Sequence, residues 1–197
     1  ALFEKYCHSM FVEKTLREYK NLKRNFPFFS SLSEIKTLDI NGTLCLNFEW
    51  VWDAVLKKIH RAIEDEKSFN VIHGDMCFSN ILLGEDVVTN TKAIKLIDPR
   101  GSFGAQGVYG TSLYDYAKLR HSINGAYEFF IYDKFEVTGR DDSPSKFYLE
   151  VSETPNKQIC QKLFAQKFVG ETSRLQHIKL IEGLIFIGMC ARHYDSL

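Results

Sequence analysis

Midway along the chain the apolar periodicity changes, and that change limits the folds open to it. Val51, Ala54, Val55, Ile59, Ala62 and Ile63 follow the i, i+3, i+4, i+7 spacing of an amphipathic helix over residues 50–66. Beyond it come only short apolar runs: Val71-Ile72, then Ile81-Leu82-Leu83, then Ala93-Ile94-Lys95-Leu96-Ile97, which alternates as a strand does. Gly84-Glu85-Asp86 carries turn chemistry between the last two runs. The pattern predicts a helix that delivers the chain to a small hairpin. A polar loop, residues 73–80, precedes the hairpin, and Asp98 stands at its far end. Two strands side by side bring the ends of these segments together.

The loop reads His73-Gly74-Asp75-Met76-Cys77-Phe78-Ser79-Asn80. Asp75, Asn80 and Asp98 are the residue types that phosphoryl transfer needs: a carboxylate to accept the proton of an attacking hydroxyl, and hard oxygen ligands to hold Mg²⁺ against phosphates. In this reading Asn80 and Asp98 share the cation while Asp75 faces the acceptor. Each residue has an ordinary role as well. His73 would hydrogen-bond backbone, Asp75 would form a turn, Asn80 would cap one, and Asp98 would end a strand before Pro99. Taken together, the spacing favours the chemical reading. Cys77 has no general base near it in the sequence and reads as a small buried filler.

His73-Gly74-Asp75, with Asn80 five residues after the aspartate and Ile97-Asp98 beyond, resembles the catalytic core of the aminoglycoside phosphotransferase and choline kinase family, small-molecule kinases related in fold to protein kinases. The resemblance implies that Asp75 is the catalytic base and that Asn80 and Asp98 bind Mg²⁺ and ATP. It also implies an α+β fold, the mainly helical C-terminal lobe of a protein-kinase-like fold, with a small β-hairpin unit carrying the catalytic loop. The segment from Tyr109 through Asp115 to Leu119 resembles the place where the family carries a structural Asp opening a helix, so Asp115 is expected to support the site, as is His73. The likeness covers residues 71–119 of a single domain, 1–197. A complete member of the family begins with a β-rich lobe that supplies a lysine to the nucleotide. No Gly-rich strand-turn-strand and no lysine-bearing strand is legible before residue 50, so this chain is expected to be an excerpt lacking that lobe.

Pro99 and Arg100 follow the second aspartate, and glycine then recurs at 101, 104, 107 and 110. Four triplets without repeating proline do not make a collagen helix, and no Lys-Ser/Thr follows as a phosphate loop requires. The stretch reads either as a wall of the acceptor pocket or as a plain connector. Arg100 is a candidate contact for a phosphate or an anionic acceptor, and equally a surface residue or a partner for Asp115. Tyr109 is a second candidate for substrate contact. Arg100 and the glycines precede any acid after Asp98, which tilts the expected acceptor slightly from an aminoglycoside or choline toward a neutral or phosphorylated one, such as a sugar derivative of surface-polysaccharide metabolism; Tyr109, Tyr114 and Asp115 remain candidates for a cation site.

The charge balance, 25 basic against 25 acidic residues, argues against a dedicated nucleic-acid binder. Five scattered cysteines without a Cys-x-x-Cys pair indicate neither a disulfide framework nor a zinc site, so a reducing cytoplasm is expected. No signal peptide is legible, and the most apolar segment, residues 180–191, contains Glu182 and is too short to span a bilayer, so no membrane partner is expected and a buried helix is. Its stripe of Leu184, Ile187 and Cys190 reads as core. Helices are also expected over 2–23, 112–127, 155–169 and 172–193. Residues 28–49 read as mixed, with a turn at Asn41-Gly42, and 127–137 and 147–151 flank a turn at 138–144. Two other functions remain open: a kinase-like module that binds without turnover, and a metal-dependent phosphohydrolase using His73, Asp75 and Asp98.

Overall fold

The computed structural model describes residues 2–66, 69–85, 93–105, 107–139 and 145–190. The chain enters through α1 (Leu2–His8), makes one π-helical turn over Ser9–Glu13, and continues as α2 (Lys14–Asn25). The expected single helix is therefore present, but it is widened in the middle. Met10, Phe11 and Val12, three residues in a row, are all buried there. A regular α-helix turns such a run away from one face, and the extra residue of a π turn lets it stay. Pro27 cannot continue the helix but is well suited to start the next, α3 (Pro27–Ser33).

The strands β1 (Thr37–Ile40) and β2 (Thr43–Leu46) form a hairpin about Asn41 and Gly42, whose φ values of 53° and 78° suit the tight turn that joins twisted antiparallel strands. The long helix α4 (Phe48–Glu66) follows, then β3 (Asn70–Val71), a 3₁₀ turn at Phe78–Asn80, β4 (Ile81–Leu83), β5 (Ile94–Leu96) and β6 (Tyr109–Gly110). The remainder is α5 (Ser112–Ile123), α6 (Tyr127–Ile131), β7 (Phe135–Thr138), β8 (Lys146–Val151), α7 (Pro155–Lys167) and α8 (Thr172–Cys190). The expected hairpin is the antiparallel pair β4–β5, with Leu82 opposite Lys95. β3 pairs with β6.

A four-stranded mixed sheet in the order β2-β1-β8-β7 was not legible in the sequence. Its central pairing, β1 parallel to β8, joins residues more than 100 positions apart, Asp39 with Lys146 and Ile40 with Phe147. Asn41 closes that joint: its amide nitrogen donates to Leu149 O at 2.9 Å and its side-chain oxygen accepts Leu149 N–H at 2.7 Å. Of the segment 127–137, the first five residues form α6 and only the end pairs as a strand. Asp86 of the turn between the hairpin strands, the turn residues 140–144 and the end of the last expected helix, 191–193, lie outside the described residues.

The apolar C-terminal segment becomes the hub. α8 packs against α5, α2 and α4. Its buried positions are Ile178, Ile181, Leu184, Ile185 and Gly188, while Ile187 is half-buried and Cys190 exposed, so the expected stripe is displaced around the helix. Glu182 is buried in mid-helix and is met by Arg120 of α5. Among the described residues no helix is long and apolar enough to cross a membrane. Phe11, Phe103 and Tyr114 form a ring cluster with centroids 5.3–6.3 Å apart, which fastens the glycine-rich segment to α5 and to the widened part of the first helix. Over the described residues this is an α+β fold, about 59% helical with a small mixed sheet, so helix packing, not the sheet, carries the core.

Candidate active site

One face of α5 organises the loop 73–80. Thr111 caps the helix, its hydroxyl accepting Leu113 N–H, and Asp115 lies in the first turn, where a carboxylate suits the helix N-terminus. Asp115, Lys118 and Ser122 stand at i, i+3 and i+7 on one stripe. The two oxygens of Asp115 accept the main-chain N–H groups of His73, at 2.8 Å, and Gly74, at 2.7 Å. Lys118 Nζ lies 2.9 Å from Asp75 Oδ1. Ser122 Oγ and Glu128 Oε1 accept Phe78 N–H at 3.2 and 3.1 Å and bond to each other at 2.8 Å. The loop is thus gripped at its start, middle and end.

A second set of bonds ties the loop to the segment carrying Asp98. Ile97 N–H donates to Asn80 O at 3.0 Å, and Arg100 N–H donates to His73 O at 2.9 Å. His73 Nε2 lies 2.8 Å from Ile97 O, while Asp75 N–H approaches His73 Nδ1 at 3.3 Å. An N–H pointing at Nδ1 assigns the ring proton to Nε2, which then donates to the carbonyl. Both ring nitrogens are engaged, so His73 is a brace between the two segments. Asp98 itself sits at φ 54°, the left-handed region that Asp enters more readily than most residues but still at some cost.

Asp75 and Asp98 line one cleft of about 440 Å³, together with Arg100, Lys14, Lys118 and Tyr114. Residues of α8 and Tyr127 of α6 complete it. Asp75 is half-buried, and each of its oxygens is engaged: Oδ1 by Lys118 and Oδ2 by the amide nitrogen of Asn80 at 3.2 Å. The same nitrogen donates to Asp75 O at 2.9 Å. Asn80 is 8% exposed and stands behind Asp75, outside the cleft lining. The Asp98 side chain is exposed and has no hydrogen-bond or ion-pair partner among the described residues. A separate, more apolar hollow of about 610 Å³, bordered by Tyr19, Phe48 and Trp52, contains none of the predicted site residues.

Two sequence-level expectations are placed differently. Tyr109 pairs with Val71 in the β3–β6 ladder, is 58% exposed and does not line the cleft. The tyrosines that do are Tyr114, which is buried, and Tyr127. Arg100 is not paired with Asp115. Its Nη1 donates to Tyr114 Oη at 3.1 Å, and Asp115 is occupied by the loop N–H groups. Lys118, Lys14 and Tyr127 line the cleft without being expected there from the sequence. The signal for Lys118 was available, since a lysine three residues after a helix-opening Asp shares its face. Lys14 reaches the cleft from the helix that follows the π turn, and nothing local marks it.

Gly74 shows how closely the loop is built. Its φ is 76°, and a Cβ there would lie 2.9 Å from Arg100 Cβ. Gly74→Ala is expected to cost roughly 1–3 kcal/mol, from the left-handed backbone and the displaced Arg100 stem. Urea unfolding checks it, and a loss under half the lower figure would mean the loop relaxes freely.

The molecule is thus an α+β protein with a braced polar loop at the mouth of a charged cleft. No family model, no curated protein and no solved structure matches the chain.

Proposed function

We propose that the protein is an ATP- and Mg²⁺-dependent phosphotransferase of the aminoglycoside phosphotransferase and choline kinase type, with this chain as its C-terminal lobe, acting on a hydroxyl of a small molecule such as a sugar or sugar derivative. The observation that carries the reading is that Asp75 and Asp98, on two segments joined by main-chain bonds, line one cleft, with Asn80 bonded to Asp75 behind it. In this role Asp75 takes the proton of the acceptor hydroxyl. Lys118 and Asn80 hold its two oxygens and fix its position, which is most of what a general base in phosphoryl transfer needs from its surroundings.

The donor set suits Mg²⁺. Asp98 offers a carboxylate without a protein partner among the described residues, and Asn80, whose nitrogen is committed to Asp75, keeps its side-chain oxygen for a cation. Among the described residues no three His, Cys, Asp or Glu side chains are grouped to hold a metal. Two oxygen ligands would leave the rest of the shell to phosphates and water, and Mg²⁺ is commonly held so. The ion, when bound, supplies neutralisation of phosphate charge. On one face of the β4–β5 pair next to Asp98, Leu83, Ile94 and Leu96 are 44–64% exposed. Apolar surface of this kind is suited to burial under a purine ring. A module that binds without turnover is favoured by one observation, that the Asp75 carboxylate is already satisfied by Lys118 and Asn80.

The test is calorimetry of Mg·ATP on the full-length chain, followed by ³¹P NMR of the products with a panel of sugars, amino alcohols and aminoglycosides. A phosphorylated acceptor is expected. Free phosphate without one would indicate hydrolysis, nucleotide binding without turnover would indicate the module, and no nucleotide binding would contradict the proposal.

A further inference from the structure

The cleft beside Asp75 is lined by three cations, Lys14, Arg100 and Lys118, and two carboxylates, Asp75 and Asp98. Lys118 is matched to Asp75 at 2.9 Å. In the phosphotransferase reading, on which this inference rests, Asp98 faces the metal. Arg100 then borders the remaining space, and among the described residues no further carboxylate lines it.

Arg100 is also held ready. Its main-chain N–H is fixed to His73 O, its stem lies over Gly74 where a Cβ would collide at 2.9 Å, and its Nη1 donates to Tyr114 Oη at 3.1 Å. Tyr114 is 3% exposed and is wedged between Phe11 and Phe103. A guanidinium carries five donors in a rigid fork. One of them is spent on the phenol, and the fork is shaped to receive a carboxylate or phosphate through two parallel bonds. Holding such a group in place beforehand lowers the entropy cost of binding. A cationic amino alcohol or aminoglycoside would meet like charge at the same place.

We propose that the acceptor carries an anionic group, a carboxylate or a phosphate ester, recognised by Arg100. The phosphoryl group goes to a hydroxyl of the same molecule, whose proton passes to Asp75 as ADP leaves.

The experiment uses the full-length chain with saturating Mg·ATP and matched probes: neutral hexoses, the corresponding uronic acids, hexose phosphates and amino sugars. The anionic probes are expected to show kcat/KM about ten-fold or more above the neutral ones, the scale of one charge-assisted hydrogen bond. R100Q is expected to remove that preference by raising KM for the anionic probe, with KM for Mg·ATP unchanged. Thermal melts establish that the variant is folded. Equal use of neutral or amino sugars would overturn the inference and leave the phosphotransferase reading intact. So would an effect of R100Q confined to KM for Mg·ATP, which would assign Arg100 to the nucleotide. Calorimetry with the same probes on wild type and R100Q covers the case without turnover. Anion-selective binding lost in R100Q would then sustain the anion site while the kinase reading fails, and absence of selectivity would end the inference.

Discussion

Asp75→Asn is expected to lower phosphoryl transfer by about 10²–10⁴-fold, the usual contribution of a positioned general base, while Mg·ATP still binds. Asn keeps the size of the side chain and can still meet Asn80, so the loop geometry survives. What it lacks is a lone-pair-bearing anion able to take a proton. It also leaves Lys118, 7% exposed at its side chain, without its counter-charge. Breaking a fully buried pair is expensive, but Asp75 is 35% exposed and water reaches it, so the stability loss should stay near roughly 1–3 kcal/mol. A melting curve separates the two effects. Activity within about ten-fold of wild type in a folded variant would remove Asp75 from the chemistry, since a general base contributes more than that.

Asp115→Ala should have the largest effect on stability. Its carboxylate accepts two main-chain N–H groups, of His73 and Gly74, at 2.8 and 2.7 Å. Hydrogen bonds to a charged group contribute about 1.5–3 kcal/mol each, and truncation leaves both donors facing a space from which the acceptor is gone. A loss of about 3 kcal/mol is expected, a large share of a typical domain's total stability. The residue does not itself line the cleft, yet activity should fall with it, because the loop start that places Asp75 is no longer anchored. Urea denaturation gives the stability, and kcat at a temperature where the variant is folded gives the positioning effect. An Asp115→Ala protein as stable as wild type would mean that the brace is redundant.

How far these residues could be read in advance depends on the range of the interactions involved. The loop was legible because its information is local: His73, Asp75 and Asn80 lie within eight positions, and the strand-turn-strand unit after them has a clear period. The helix over 50–66 and the Asn41-Gly42 turn were legible for the same reason. The sheet β2-β1-β8-β7 was not. Its strands are short and half-exposed, and its central pairing depends on Asn41 meeting Leu149 across 108 positions. The π turn at Ser9–Glu13 was missed because an α-helical count and a π-helical count differ there by one residue. At the site, Tyr109 was a candidate as an aromatic near the loop, but ladder pairing with Val71 turns it outward, whereas Tyr114 is brought to the cleft by α5. Lys14 joins from a helix 61 positions before Asp75, and only tertiary packing puts them together.

The central claim is that Asp98 and Asn80, on segments joined by the Ile97–Asn80 and Arg100–His73 main-chain bonds, hold one divalent cation with the nucleotide beside Asp75. Electron paramagnetic resonance of Mn²⁺ titrated into the full-length chain with ATP tests it most directly. Nucleotide-dependent Mn²⁺ binding in wild type, strongly weakened by Asp98→Ala and by Asn80→Ala and untouched by Tyr109→Phe, is the predicted result. Mn²⁺ binding that is the same in Asp98→Ala as in wild type would contradict it.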